Sequence, residues 1–475
     1  MSLSLLLIEV SYMQDLDGQN TKAHSDGIKA LLGDPKKAIL KLSTPMIIAM
    51  LVQTLYNFAD ALWVSFLGPD ALSAVGFFFP FFFMIISVAS GVGMGGSAAI
   101  SRFIGSHKKE DADNVAGHTI VLMFILGIVF TIPFVLLSRP IFEAMGAGNV
   151  LEDATIYAQI MFGGTLLIFF ANVANSILRG EGDAKRSMYA MSFGSILNII
   201  LDPIFIYLLK MGVAGAAWAS VLSMGVSAVI LFYWLFIKRS SYVSINLSNF
   251  RFHKFILFDI LRVGVPFSLS QLLMSFSTLG LNLIVVSVAG TDGIAIYTSG
   301  WRIVMFGTLP LIGMATAVTA VSGAAYGGKD IKKLDTAYMY SVKLGLLMEV
   351  FVSSIVFIFA PQIASVFTQS AEGIRILKDL TSFLRITAFF YPFVAFGMFS
   401  SAMFQGTGKG VNSLIVTLFR TLILTVPFSY LFAIFFKMGL NGAWWGLVVG
   451  NILGSLIAYI WAKVYVKGLF KKISF

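Results

Sequence analysis

The sequence predicts an all-α membrane protein, with twelve transmembrane helices arranged as two parallel, pseudo-symmetric six-helix lobes. Composition, the spacing of apolar runs and an internal repeat carry that prediction. Of 475 residues, 58% are hydrophobic and 12% charged, against about 25% charged in a typical soluble protein. Charge this sparse cannot cover a water-facing surface over such a length. A lipid-spanning helix, by contrast, needs about 20 largely apolar residues. The 45 phenylalanines suit lipid-facing and cavity-lining surfaces alike.

Apolar runs fall at 38–66, 71–98, 115–138, 154–178, 187–209 and 213–237. A polar break at 238–256 follows, then six more runs at 258–288, 293–324, 336–360, 377–404, 411–436 and 441–466. With the N-terminus placed in the cytosol, Lys and Arg are in roughly fourfold excess on that side, so the positive-inside rule makes both termini cytosolic. The halves repeat. Phe66-Leu67-Gly68-Pro69-Asp70-Ala71 is echoed by Val288-Ala289-Gly290-Thr291-Asp292-Gly293, and Lys210-Met211-Gly212 by Lys437-Met438-Gly439. Six spans per copy give both copies one orientation, related by an axis along the membrane normal, with a cleft between them. The expected division is a cytosolic tail at 1–37, an N-terminal lobe at 38–240, a cytosolic linker at 241–256, a C-terminal lobe at 257–467 and a short tail at 468–475.

Several chemistries lose support at this stage. The chain has no cysteine and only four histidines, at no metal-site spacing, and no cofactor is expected. Met1–Val10 is apolar but too short to span and lacks a basic leader, so no cleaved signal is expected. The net charge of +10 reads as topogenic rather than as a nucleic-acid surface. Gly91-Val92-Gly93-Met94-Gly95-Gly96 matches G-x-G-x-x-G but lies in an apolar helix, where small residues mean close helix packing. No P-loop, G-x-S-x-G or H-E-x-x-H is present.

Ionisable residues inside the runs are costly, at about 2.5–3.5 kcal/mol for a central Asp, and mark functional positions. Asp60 in helix 1 and Asp202 in helix 5 each lie eight residues before the outer end, at Gly68 and Lys210. That places both roughly 12 Å deep, with Ser220 of helix 6 at a similar level. Gln53, Tyr56 and Asp60 form one stripe of helix 1, and Asn198 and Asp202 one stripe of helix 5. Asn172 and Asn175 share a stripe of helix 4, nearer the cytosol. Pro203 removes a backbone donor just after Asp202. Carboxylates, amides and a hydroxyl at one depth suit Na⁺ coordination and a proton site alike. The second half has no matching acidic pair. Its runs hold Arg302, Lys343, Glu349, Arg385 and Arg420, and similar depth suggests a Glu349–Arg385 ion pair.

These residues resemble the multidrug and toxic compound extrusion (MATE) family, in its DinF-like and archaeal branch. The likeness runs from Gly33 to Lys467. It is strongest at Pro45 with Gln53-Thr54-Leu55-Tyr56-Asn57-Phe58-Ala59-Asp60, at Arg179-Gly180-Glu181-Gly182-Asp183, and at Asn198-Ile199-Ile200-Leu201-Asp202-Pro203. The resemblance implies a secondary antiporter, not an enzyme, that exports amphiphilic and often cationic compounds in exchange for H⁺ or Na⁺. It implies a cation site, for H⁺ or Na⁺, at Asp60, Asn198, Asp202, the Ala216 carbonyl and Ser220, where Ser220 replaces an expected Thr. Tyr56, Asn172 and Asn175 match the surrounding polar network, and Pro45 is placed to bend helix 1, as hinge or static kink. A monomer in the plasma membrane is expected, with membrane lipid and a small amphiphile as its partners and no nucleic acid. A lipid-linked sugar flippase of the same superfamily is the alternative. An intramembrane aspartyl protease would also use an Asp pair, but neither Asp has the sequence setting of one.

Overall fold

The computed structural model describes residues 26–245, 250–369 and 373–473. Residues 1–25 of the expected tail and 246–249 of the expected linker lie outside the described residues. Among those described, every regular element is helical. The first lobe comprises α1 (Pro35–Ser65), α2 (Pro69–Gly105), α3 (Lys109–Ala144), α4 (Gly148–Gly163 and Thr165–Gly180), α5 (Ala184–Leu208) and α6 (Gly212–Ile237). The helix Lys254–Gly327 is two spans, α7 (254–289) and α8 (291–327), joined at Gly290, whose φ of 59° and ψ of −142° are non-helical. Then come α9 (Ile331–Ile358), α10 (Ile374–Ala388 and Tyr391–Gly406), α11 (Gly410–Phe435) and α12 (Gly439–Lys471). The expected twelve passes are present among the described residues, and an even number puts the start of α1 and the end of α12 on one face, here called the terminal face.

Local chemistry sets the ends. α1 starts where Asp34 accepts from the Lys36 and Lys37 backbone N–H groups at 2.9 and 3.0 Å, with Pro35 at the first helical position. It then runs unbroken through Pro45, which is buried. Several helices outrun the apolar stretches that announce them, because the helix continues until a turn stops it. α2 reaches Gly105, and α3 begins again at Lys109.

The repeat extends to backbone detail. The α2–α3 and α8–α9 turns each place one residue in the left-handed region, His107 (φ 59°) and Lys329 (φ 57°). The α5–α6 and α11–α12 turns do so twice, at Lys210 and Gly212 and at Lys437 and Gly439. The broken helices also correspond, α4 bending by 46° and α10 by 54°. Short π-helical stretches, Ile204–Leu208 in α5 and Phe419–Thr425 and Leu431–Phe435 in α11, interrupt the corresponding spans, and a further one, Tyr233–Ile237, ends α6.

The lobes meet through α2, packed on α7 and α8 in its terminal-face half. Here the Gly-rich stretch does what small residues do. Gly91 lies on Gly264 and Ser268 of α7, Gly95 on Ile260, and Gly105 on the Ala324 backbone of α8. Gly327 lies in turn on the Arg102 backbone. The hydrogen bonds that join the lobes follow. Ser268 Oγ donates to the Ser87 carbonyl (2.9 Å), and Arg102 donates to Asp259 (2.7 Å) and to the Gly406 carbonyl (3.0 Å). Toward the opposite face, Leu55, Phe58 and Leu62 of α1 are exposed.

Candidate functional site

α1, α5 and α6 bring the predicted residues together. α1 packs along α5 and α5 along α6. Asp202 is fully buried and Asp60 half-buried. Their carboxyl groups lie side by side, close enough to interact directly. The Tyr56 hydroxyl lies near Ser220. Asn198 bridges the elements. With its Nδ2 donating to Asp202 Oδ2 at 2.9 Å, its carbonyl oxygen accepts from the Ser220 hydroxyl and the Ser220 backbone N–H, both at 3.2 Å. Ala216 is buried one turn before Ser220 on α6. Oδ1 of Asp60 and Oδ1 of Asp202 are both buried without a hydrogen-bond partner. Two carboxylates placed this close together suit a shared proton or a bound cation.

Pro203 acts as its chemistry requires. The α-helix ends there and the π-helical stretch Ile204–Leu208 takes over, a local widening that often marks functional positions. Just beyond, the Tyr207 hydroxyl donates to the Trp63 carbonyl at 2.5 Å and ties α5 to α1.

The polar residues nearer the terminal face form a separate cluster. Asn172 accepts from Ser90 Oγ at 3.3 Å, while Asn175 donates to the Ala171 carbonyl of its own helix at 2.8 Å. Gln53 lies half-buried on the Tyr56–Asp60 stripe. Tyr157, in the first segment of α4, was not anticipated. It is buried against Phe78, with ring centroids 5.4 Å apart, and lies within electrostatic reach of Asp60, Tyr56 and Asp202. It stands nine residues below Gly148, so the depth arithmetic applied to Asp60 also fits Tyr157.

The second lobe carries no copy of this carboxylate pair. At the repeat offset of 222 residues Asp60 corresponds to Asn282, and at 227 Asn198 and Asp202 correspond to Thr425 and Ser429. Thr425 and Ser429 donate to the carbonyls of Arg420 (2.6 Å) and Ala443 (3.0 Å).

The Glu349–Arg385 pair does not form. Glu349 is fully buried, with neither carboxylate oxygen in a hydrogen bond, whereas Arg385 is exposed, as are Arg302 and Lys343. Equal depth placed them on one level, but the residues occupy different faces of their helices. Arg420 does point inward. Its stem lies across Gly454 of α12, and its Nε and Nη1 are buried without a partner.

Glu181, in the α4–α5 turn, was noted in the sequence only as part of the loop motif. It is buried, and its Oε2 accepts from the Val243 backbone N–H at 3.0 Å, pinning the start of the linker. Burial, helped by the Asp183 carboxylate, pushes its carboxyl from 4.5 up to about 8. A raised folded-state value means that the stability it contributes is fully present below pH 4.5 and is lost as pH rises through about 8. The melting midpoint in detergent is therefore expected to fall across that interval. Glu181→Gln, which keeps an acceptor for Val243, is expected to flatten the dependence. An unchanged slope in the variant would assign the effect to another group.

Twelve passes in two repeated lobes, with a pair of intramembrane carboxylates in one of them, define a polytopic membrane protein of the transporter class. The profile of the MatE family matches residues 45–204 and 266–431, one block in each lobe, and the chain belongs to that family. It is 26% identical over 433 residues to the probable multidrug resistance protein YoeA of Bacillus subtilis (strain 168), covering 88% of this chain and 92% of that protein. It is also similar to a solved structure described as the outward-facing conformation of a multidrug resistance MATE family transporter, at 50% identity and a TM-score of 0.91, covering 94% of this chain and 99% of that one. A MOP superfamily transporter from Pyrococcus furiosus, described as having a binding pocket of reverse polarity that suggests a different function, matches at 50% identity and a TM-score of 0.90, with 93% and 98% covered.

Proposed function

We propose that this protein is a plasma-membrane antiporter that exports amphiphilic, often cationic compounds in exchange for H⁺ or Na⁺, as a monomer and without a cofactor. The observation that carries the reading is the contact between Asp60 and Asp202, each with one buried, unpartnered oxygen. Asp60, Asp202, the Asn198 carbonyl oxygen, the Ser220 hydroxyl and the Ala216 carbonyl are all oxygen donors, which suits Na⁺. The same carboxylates suit a proton. The basic excess makes the terminal face cytosolic, so lobes packed on that face correspond to a state open to the outside. The ion enters from outside, neutralises the pair and lowers the cost of repacking α1, α5 and α6. The substrate then leaves the cleft. Such an ion moves the equilibrium only by its difference in affinity for the two states.

The test is transport in proteoliposomes with pH and Na⁺ gradients imposed separately. Efflux of a cationic dye driven by one gradient is the expected result, and no efflux under either would overturn the reading. A second reading, a flippase for lipid-linked sugars or other anionic lipids, is favoured by the unpartnered guanidinium of Arg420. Translocation of such a lipid in the same vesicles, with no dye efflux, would replace the first reading with the second.

A further inference from the structure

A pocket of about 560 Å³ opens on the terminal face where the two lobes meet, within the usual range for small-ligand sites. Its walls are the two corresponding turns of the repeat, Gly105–Lys108 from the first lobe and Gly327–Asp330 from the second, with Leu32 from the segment preceding α1. His107, Lys108, Lys329 and Lys333 line it, against a single carboxylate, Asp330. That carboxylate is engaged, accepting from the Lys333 backbone N–H at 2.8 Å. The Lys108 ammonium reaches only an exposed Asp111 at 3.9 Å. The Lys333 ammonium donates to the Leu31 carbonyl at 3.1 Å, so the segment preceding α1 also touches the second lobe here.

Bringing the lobes together thus brings like charges together, at the point where Gly105 and Gly327 each leave no room for a Cβ against the backbone of the other lobe. A multivalent anion would offset that repulsion with charge-assisted hydrogen bonds from both sides. We propose that this pocket binds a phosphate-bearing anion that bridges Lys108 of one lobe and Lys329 of the other, and so holds the lobes closed on the terminal face. Basic pockets between helices at the cytoplasmic surface take phosphorylated lipid headgroups in this way. The walls belong to different lobes, so parting the lobes dismantles the site. The ligand therefore stabilises the packed state by linkage.

The test uses the full chain in neutral detergent, with spin labels on cysteines placed at the exposed positions Glu110 and Lys332, one per lobe, in a chain that has no cysteine of its own. The probes are inorganic pyrophosphate and a short-chain phosphatidic acid, with a short-chain phosphatidylcholine as the zwitterionic control. Either anionic probe is expected to raise the melting midpoint and narrow the label distance toward its shorter component. Lys108→Ala with Lys329→Ala, which removes the charge-assisted contact from each lobe, is expected to raise the half-maximal concentration at least about tenfold, a factor that corresponds to about 1.4 kcal/mol. The melting midpoint of that variant without ligand serves as the folding control. A response to both anions assigns the site to phosphate itself, and a response to phosphatidic acid alone assigns it to a lipid headgroup. No response to either, or the same response in the double variant, would overturn the proposal.

Discussion

Asp202→Asn, and separately Asp60→Asn, should bring ion-driven efflux to the background of protein-free vesicles. Expression and melting midpoint should hold steady or rise. The two carboxylates lie side by side, and each keeps one buried oxygen without a partner. An amide at either position preserves the shape and the Asn198 bridge but cannot take up and release a proton, and it halves the charge offered to Na⁺. Removing a buried ionisable group from a membrane span removes a desolvation cost, and for that reason the fold should not suffer. The measurement is dye efflux under an imposed gradient, beside the melting curve of each variant. Normal coupled efflux in both would remove the site from the mechanism.

The second large effect belongs to the lobe interface. Gly105→Leu is expected to part the lobes on the terminal face, because even a Cβ at Gly105 collides with the Ala324 backbone, which cannot rotate away. Overpacking typically costs about 1–3 kcal/mol, and about 1.4 kcal/mol is a tenfold change in the ratio of two states. The Glu110–Lys332 label distance should lengthen and efflux should fall. Gly76→Leu, on the same α2 but with nothing within 4 Å of its Cβ, is the control expected to change neither. A label distance unmoved by Gly105→Leu would mean that the backbone contact does not limit how closely the lobes approach.

Some of this was legible in the sequence because membrane physics is strict. A span must be apolar for about 20 residues, so the runs announce the helices, and an intramembrane Asp must have a reason to be there. Depth counted along α1, α5 and α6 brought Asp60, Asp202 and Ser220 to one level, and side-chain contacts join them. Counting depth says nothing about azimuth, and Glu349 and Arg385 illustrate the difference. Tyr157 escaped notice because one tyrosine in an apolar run looks like any other aromatic. The break in α10 falls just before Pro392, which lacks the N–H that would have bonded to Ala388; α4 bends instead at Gly163-Gly164, which as sequence looks like one more small-residue contact. The Gly-rich stretch of α2 was readable as a packing surface, but not which helix it meets.

The neutrality of Asn282, Thr425 and Ser429 bears on energy conversion. If the single carboxylate pair carries one ion, each turnover of the proposed antiporter would exchange one ion for one substrate molecule. A monovalent cationic substrate would then leave in an electroneutral exchange. The membrane potential would do no work on it, and its accumulation ratio would be capped at the ratio of the driving ion. A neutral substrate would leave against a net inward charge, and would gain about 2.3 kcal/mol per 100 mV from the potential as well. On that stoichiometry, a duplicated lobe without carboxylates at the matching positions would leave the charge of the cargo to decide which component of the ion-motive force is available to expel it.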